Sequence, residues 1–154
     1  MVDASFEDGA DQPLRLTAET PKDLSVISAL LQDAVCKIGR VNWMPRRRRF
    51  SFLLYRFRWE DVDWADAQKR EYERVATALT LDDVLAVRTR GVDNQNKEQV
   101  FNTLSAEFEA GEDGAGVLRV ACSGDTMFEF KVECLNVALA DLTQPWAAGG
   151  KPIH

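Results

Sequence analysis

Two periodicities divide this chain: apolar residues recur at helical spacing near its start and at every second position over most of the remainder. Leu14-Arg-Leu-Thr-Ala-Glu19 alternates through Leu14, Leu16 and Ala18, which predicts a half-buried strand. Thr20-Pro21-Lys22-Asp23 then supplies a capping hydroxyl, a proline at the first helical position and a carboxylate three residues after the cap. A helix therefore begins at Pro21. Leu24, Ile27 and Leu31 repeat along one face, Val26 and Leu30 widen the apolar stripe, and Lys22, Ser25 and Gln32 are left to water. The helix should end near Asp33.

From Ala34 the period becomes two. Val35, Val41 and Trp43 fall on one side, Cys36, Ile38 and Met44 on the other, and Gly39 marks a bulge. Phe50-Ser-Phe-Leu-Leu-Tyr-Arg-Phe-Arg-Trp59 is apolar on both faces for its first half, as a central strand covered on both sides would be. Residues 45–48, opened by Pro45, predict the turn of a hairpin between these two segments. Val75, Thr77, Leu79 and Leu81 alternate, Asp82-Asp83 interrupts, and Leu85, Val87 and Thr89 alternate again, giving two strands or one strand bent at a bulge. Residues 100–109 read as a strand with Val100, Leu104, Ala106 and Phe108 facing inward. Gly111-Glu-Asp-Gly-Ala-Gly116 is a turn cluster, and Ser123-Gly124-Asp125 between alternating runs predicts a hairpin. Residues 135–142 fit a strand or a helix equally, and from Thr143 no further element is expected, Trp146 serving as an anchor.

One helix and about eight strands joined by short turns point to an α+β fold: a mainly antiparallel sheet, curled or a partly open barrel, with the N-terminal helix packed on it. Residues 1–12 read as a loose acidic leader, 13–146 as a single domain and 147–154 as a flexible tail. With 154 residues, 45% of them hydrophobic and 29% charged, the chain can bury a core and lies far from disordered compositions. No run approaches the roughly 18 apolar residues of a membrane span, and the acidic N-terminus does not resemble a secretory signal. Three widely spaced cysteines, Cys36, Cys122 and Cys134, argue against a disulfide framework or a zinc site and for a cytoplasmic location. Cys36 and Cys134 are expected to pack as small hydrophobes, with Cys122 the more exposed.

A net charge of −6 disfavours a general polyanion binder, yet residues 34–59 carry eight cations and no acid. Arg46, Arg47, Arg48 and Arg49 would crown the first hairpin turn, each a planar fork suited to phosphate or carboxylate. Trp43 and Tyr55 nearby could stack on a base, as single-strand-binding grooves do. The plainer reading is an exposed turn neutralised by Glu60, Asp61, Asp63 and Asp66 and by the acidic leader.

Catalytic sets are hard to find. The one histidine, His154, is the last residue, a poor place to hold an imidazole for a nucleophile or a metal. Gly111, Gly114 and Gly116 are spaced unlike a phosphate loop, with Glu112 and Asp113 where an anion would have to sit. Carboxylates remain, in the Glu60 to Asp66 cluster and in Asp82-Asp83, both more usual as solvated loops. No catalytic residue, metal or cofactor is assigned.

Leu24-Ser-Val-Ile-Ser-Ala-Leu-Leu-Gln-Asp-Ala-Val35, Arg48-Arg-Phe50, Val84-Leu-Ala-Val-Arg-Thr-Arg-Gly91, and Glu133-Cys-Leu135 followed by Leu139-Ala-Asp-Leu142 resemble a bacterial family catalogued as a domain of unknown function. The resemblance runs from Leu14 over nearly the whole chain and implies no activity, substrate or cofactor. The expectation is a non-enzymatic cytoplasmic interaction module that meets an acidic protein or a phosphate-bearing ligand through the arginine turn. Alternatives are a single-stranded RNA binder using the same turn, and a small-molecule enzyme using carboxylates in a barrel mouth. A homodimer is compatible with Trp146 and the mixed-face strand from Phe50.

Overall fold

The computed structural model describes residues 13–57, 73–142 and 146–147. The expected leader, the acidic cluster from Glu60 to Asp66, Trp59 and His154 lie outside them. After β1 (Arg15–Ala18), helix α1 spans Pro21–Leu31, with the Thr20 hydroxyl accepting from the Asp23 N–H at 3.2 Å. Leu24, Ile27 and Leu31 are its buried face, while Val26 is 52% exposed, so the stripe is narrower than its composition implied.

Nine further strands follow: β2 (Ala34–Met44), β3 (Arg49–Phe57), β4 (Glu73–Leu81), β5 (Val84–Arg90), β6 (Val100–Ala110), β7 (Gly116–Cys122), β8 (Met127–Val132), β9 (Val137–Asp141) and β10 (Trp146–Ala147). They build one antiparallel ten-stranded sheet in the order β1-β9-β4-β3-β2-β6-β7-β8-β5, with β10 added to β4 beyond β9. The sheet is not closed: β1 and β5 end it. The ambiguity over residues 135–142 resolves to a strand, Val137–Asp141, because β9 pairs with β1 on one side and β4 on the other, burying Val137 and Leu139. The short strand at Trp146 corrects the expectation that nothing regular comes after Thr143. Among the described residues, no helix is long and apolar enough to cross a membrane.

Four strand spacings separate β3 from β8, about 19 Å in a flat sheet. Yet the Phe50 ring lies 4.9 Å from that of Phe130, and Phe52 lies 5.0 Å from Phe128. The sheet must therefore curl on itself, and these rings with Phe101 fill its concave side. α1 plugs that side beside β6. β2 pairs with β6 only as far as Thr103, and α1 takes its place thereafter. The Ser28 hydroxyl accepts the Ala106 N–H at 2.9 Å, and the Thr103 hydroxyl donates to Leu31 O at 2.5 Å.

Bulges decide which residues point inward. β2 slips against β3 between Cys36 and Val41, so Cys36 pairs with Leu54 but Val41 pairs with Phe52 and Trp43 with Phe50. Inward positions thus change from even to odd numbers at Gly39, so Cys36, Ile38, Val41 and Trp43 share the core side while Val35 and Met44 do not join it. A Cβ at Gly39 would stand 3.0 Å from Lys97 O, which explains glycine at the kink. β6 likewise shifts between Thr103 and Ser105. Phe101, Thr103 and Ala106 face the core, whereas Val100 and Leu104, expected inside, are about half exposed. β3 buries Phe50, Phe52, Leu54 and Arg56 while its other face is only half covered, less than the two-sided burial expected. β5 is an edge strand, and Leu85 and Thr89 are exposed.

Candidate functional site

Pro45 starts a short 3-10 turn, Pro45–Arg47, and Arg48 closes it in the left-handed region at φ 52°. That conformation costs a non-glycine residue on the order of 1 kcal/mol and persists only where its surroundings fix it. They do. Arg48 O accepts from Val84 N at 2.9 Å, Asp83 O from Glu133 N at 2.9 Å, and Asn136 O from Asp82 N at 2.9 Å. Three connections, residues 45–48, 82–83 and 133–136, are thereby laced into one junction at an end of the curled sheet. Three of the four stretches that carry the family resemblance reach it.

The four arginines of the turn divide into two pairs. Arg48 bonds Glu133 and Arg49 bonds Asp82, at 2.9 and 2.7 Å, so these two serve the junction. Arg46 and Arg47 are exposed and make no ion pair or hydrogen bond with any described residue. Trp43 stays close, half-buried in β2 with its ring 6.2 Å from that of Phe50. Tyr55 does not join them: it pairs with Val35 and Ala76, six residues along β3 from Arg49, or about 20 Å.

Arg56 belongs to the core. It is fully buried, and its guanidinium meets Asp141 at 3.1 and 2.8 Å while a third nitrogen donates to Phe57 O. Asp141 also accepts from the Thr77 hydroxyl at 2.9 Å and from Leu14 N at 3.1 Å. β1, β3, β4 and β9 are pinned together through this carboxylate. Counting cations along the chain could not separate Arg56 from its exposed neighbours, although its alternation with Phe50, Phe52 and Leu54 marked it as inward.

Asp82 and Asp83 do not act as a pair. Asp82 holds Arg49, and Asp83 accepts from Asn136 at 3.1 Å and from the Cys134 thiol at 3.2 Å. These hydrogen bonds, with Arg48 nearby, hold the Asp83 carboxyl below its ordinary value; the same carboxylate raises the Cys134 thiol. Cys36 is buried as expected, but the other two cysteines reverse their expected exposures: Cys134 is exposed and Cys122 is buried. Burial pushes both core thiols up to about 12.

Two hollows complete the picture. One, about 570 Å³, lies on the outer face of β5, β8 and β7, and its one acid, Glu129, is ion-paired to Arg88 and Arg119. The other, about 330 Å³, opens between β2 and β5 and has no acid among its described lining residues. Neither offers the two carboxylates that acid-base chemistry in a barrel mouth requires. Among the described residues, no three His, Cys, Asp or Glu side chains converge as a metal site would need.

Fold and site together define an α+β protein, an open antiparallel sheet curled around a phenylalanine core with a cationic turn at one end. The chain belongs to the family described as "Protein of unknown function (DUF2948)", whose profile matches residues 14–154. No curated protein and no solved structure gives a significant match.

Proposed function

We propose that the protein is a non-enzymatic interaction module whose Arg46 and Arg47 engage an acidic or phosphate-bearing partner. One observation carries the reading: the turn is already fixed by its own hydrogen bonds and by the Arg48–Glu133 and Arg49–Asp82 pairs, while its two outermost guanidinium groups have no carboxylate among the described residues. A pre-fixed cationic turn binds an anion without the cost of ordering the loop. Guanidinium forks also suit carboxylate and phosphate better than ammonium groups would. Three free cysteines support a reducing, cytoplasmic setting.

Native-lysate pull-downs with wild type, Arg46→Glu/Arg47→Glu and the remote control Lys22→Glu test it. The double variant should lose the specific partners that the control keeps. Retention of every partner by the double variant overturns the reading. Single-stranded RNA is the weaker form of the same idea, because Tyr55 stands away from the turn and only Trp43 is left to stack. Filter retention of RNA at about 50 mM salt, falling steeply as salt rises, would favour it.

A further inference from the structure

The unclosed sheet leaves a slot with definite walls. Beyond the Gly39 bulge, residues 41–44 of β2 pair with β3 on one side and with no described strand on the other. β5 pairs with β8 on one side and with no described strand on its other. The hollow of about 330 Å³ lies between these two edges, walled by Val41 and Trp43 from β2 and by Val87 and Thr89 from β5, with Phe50 and Phe128 below. Both ends are pinned. At one, Val84 N–H bonds Arg48 O at 2.9 Å; at the other, Ile38 and Gly39 N–H bond Gln99 O and Lys97 O at 2.9 Å each. The slot is thus held open by backbone hydrogen bonds at its two ends, and closing it would require breaking them.

We infer that this slot is a binding site for a small aromatic carboxylate, independent of the arginine turn. Its volume falls at the lower end of the range of small-molecule sites, and its accessible lining joins apolar walls to a polar side of similar extent. Phe50 and Phe128 are buried and form the floor, and the half-buried ring of Trp43 is the aromatic surface left to a ligand, which favours a flat aromatic body over a flexible chain. Lys97, Asn94 and Thr89 supply the polar side of the lining, and none of their side chains bonds a described residue. Lys97 is the one charged group among them and is cationic, which selects an anionic substituent. Gly39 eases the arrangement: a Cβ there would press on Lys97 O at 3.0 Å, so its absence lets β2 approach the Lys97 backbone and bring the lysine to the slot.

Calorimetric titration of the full chain with 2-naphthoate and its neutral analogue 2-naphthol tests the inference. Naphthoate should bind saturably at one site and more tightly than naphthol. Lys97→Gln should weaken naphthoate about fivefold and leave naphthol within roughly twofold, as expected when only a partly exposed ion pair is lost. Val87→Trp fills the slot and should abolish binding of both. Thr89→Trp, at an exposed position, should do the same without touching the core, so a folding defect in the first variant cannot decide the matter. Unchanged naphthoate binding in folded Thr89→Trp, or no saturable binding at all, overturns the site. Arg46→Glu/Arg47→Glu should bind both probes as wild type does; a loss there would merge the slot with the turn and sink the claim of independence.

Discussion

Arg56 shows how one residue can change meaning between chain and fold. Arg46 and Arg47 of the same basic segment are exposed, but Arg56 lies in the core, and its partner Asp141 is 85 residues away. A buried pair of this kind contributes little net stability against an apolar replacement, while losing one partner strands a desolvated charge. Asp141→Ala removes the acceptor of Arg56, Thr77 and Leu14 at once. Urea unfolding should show a loss of about 3 kcal/mol or more. A loss below about 1 kcal/mol would mean that the pair is wet, contrary to its burial.

Among elements, the turns carry more of the specificity than the strands. Gly124 and Asp125 at φ 67° and 59° make the two-residue turn that the Ser123-Gly124-Asp125 sequence predicts, a local rule satisfied locally. The junction of residues 45–48, 82–83 and 133–136 obeys no such rule, since its stabilising contacts join three distant connections. Asp83 sits there with its carboxyl held below the ordinary value, chiefly by Asn136 and then by Cys134. A carboxyl depressed in the folded state adds stability above its unfolded value, and that contribution disappears as pH falls through the folded one. Asp83→Asn removes the charge while tolerating the left-handed backbone of residue 83. Wild type should therefore exceed Asp83→Asn in urea midpoint near about pH 6, with the gap closing near about pH 3. A gap that persists at the acid end would assign the difference to hydrogen-bond geometry rather than to charge.

For the whole molecule, curling is the decisive event. It brings β3 against β8, and it encloses Cys36 of β2 and Cys122 of β7 in a single apolar cluster. If that cluster unfolds as a unit, both thiols, each pushed up to about 12, should resist alkylation in the native protein and then react with one shared rate constant. Cys134, exposed, should react first. Labelling of Cys36 and Cys122 at clearly different rates would show that the sheet opens in sections.

What the chain alone determined was local in origin: the cap and buried face of α1, the period of two after Ala34, the hairpin at Gly124, the family resemblance, and the acid-free basic segment. Propensity, capping and alternation act over a few residues, so they survive without knowledge of the fold. Only the tertiary structure decided that residues 137–141 are strand, that Val100 and Leu104 face out, that Cys122 rather than Cys134 is covered, and that Arg48, Arg49 and Arg56 have carboxylate partners while Arg46 and Arg47 have none among the described residues. The reason is physical. A single bulge reverses which side chains point inward, and burial and ion pairing depend on groups scores of residues apart that meet only when the sheet curls.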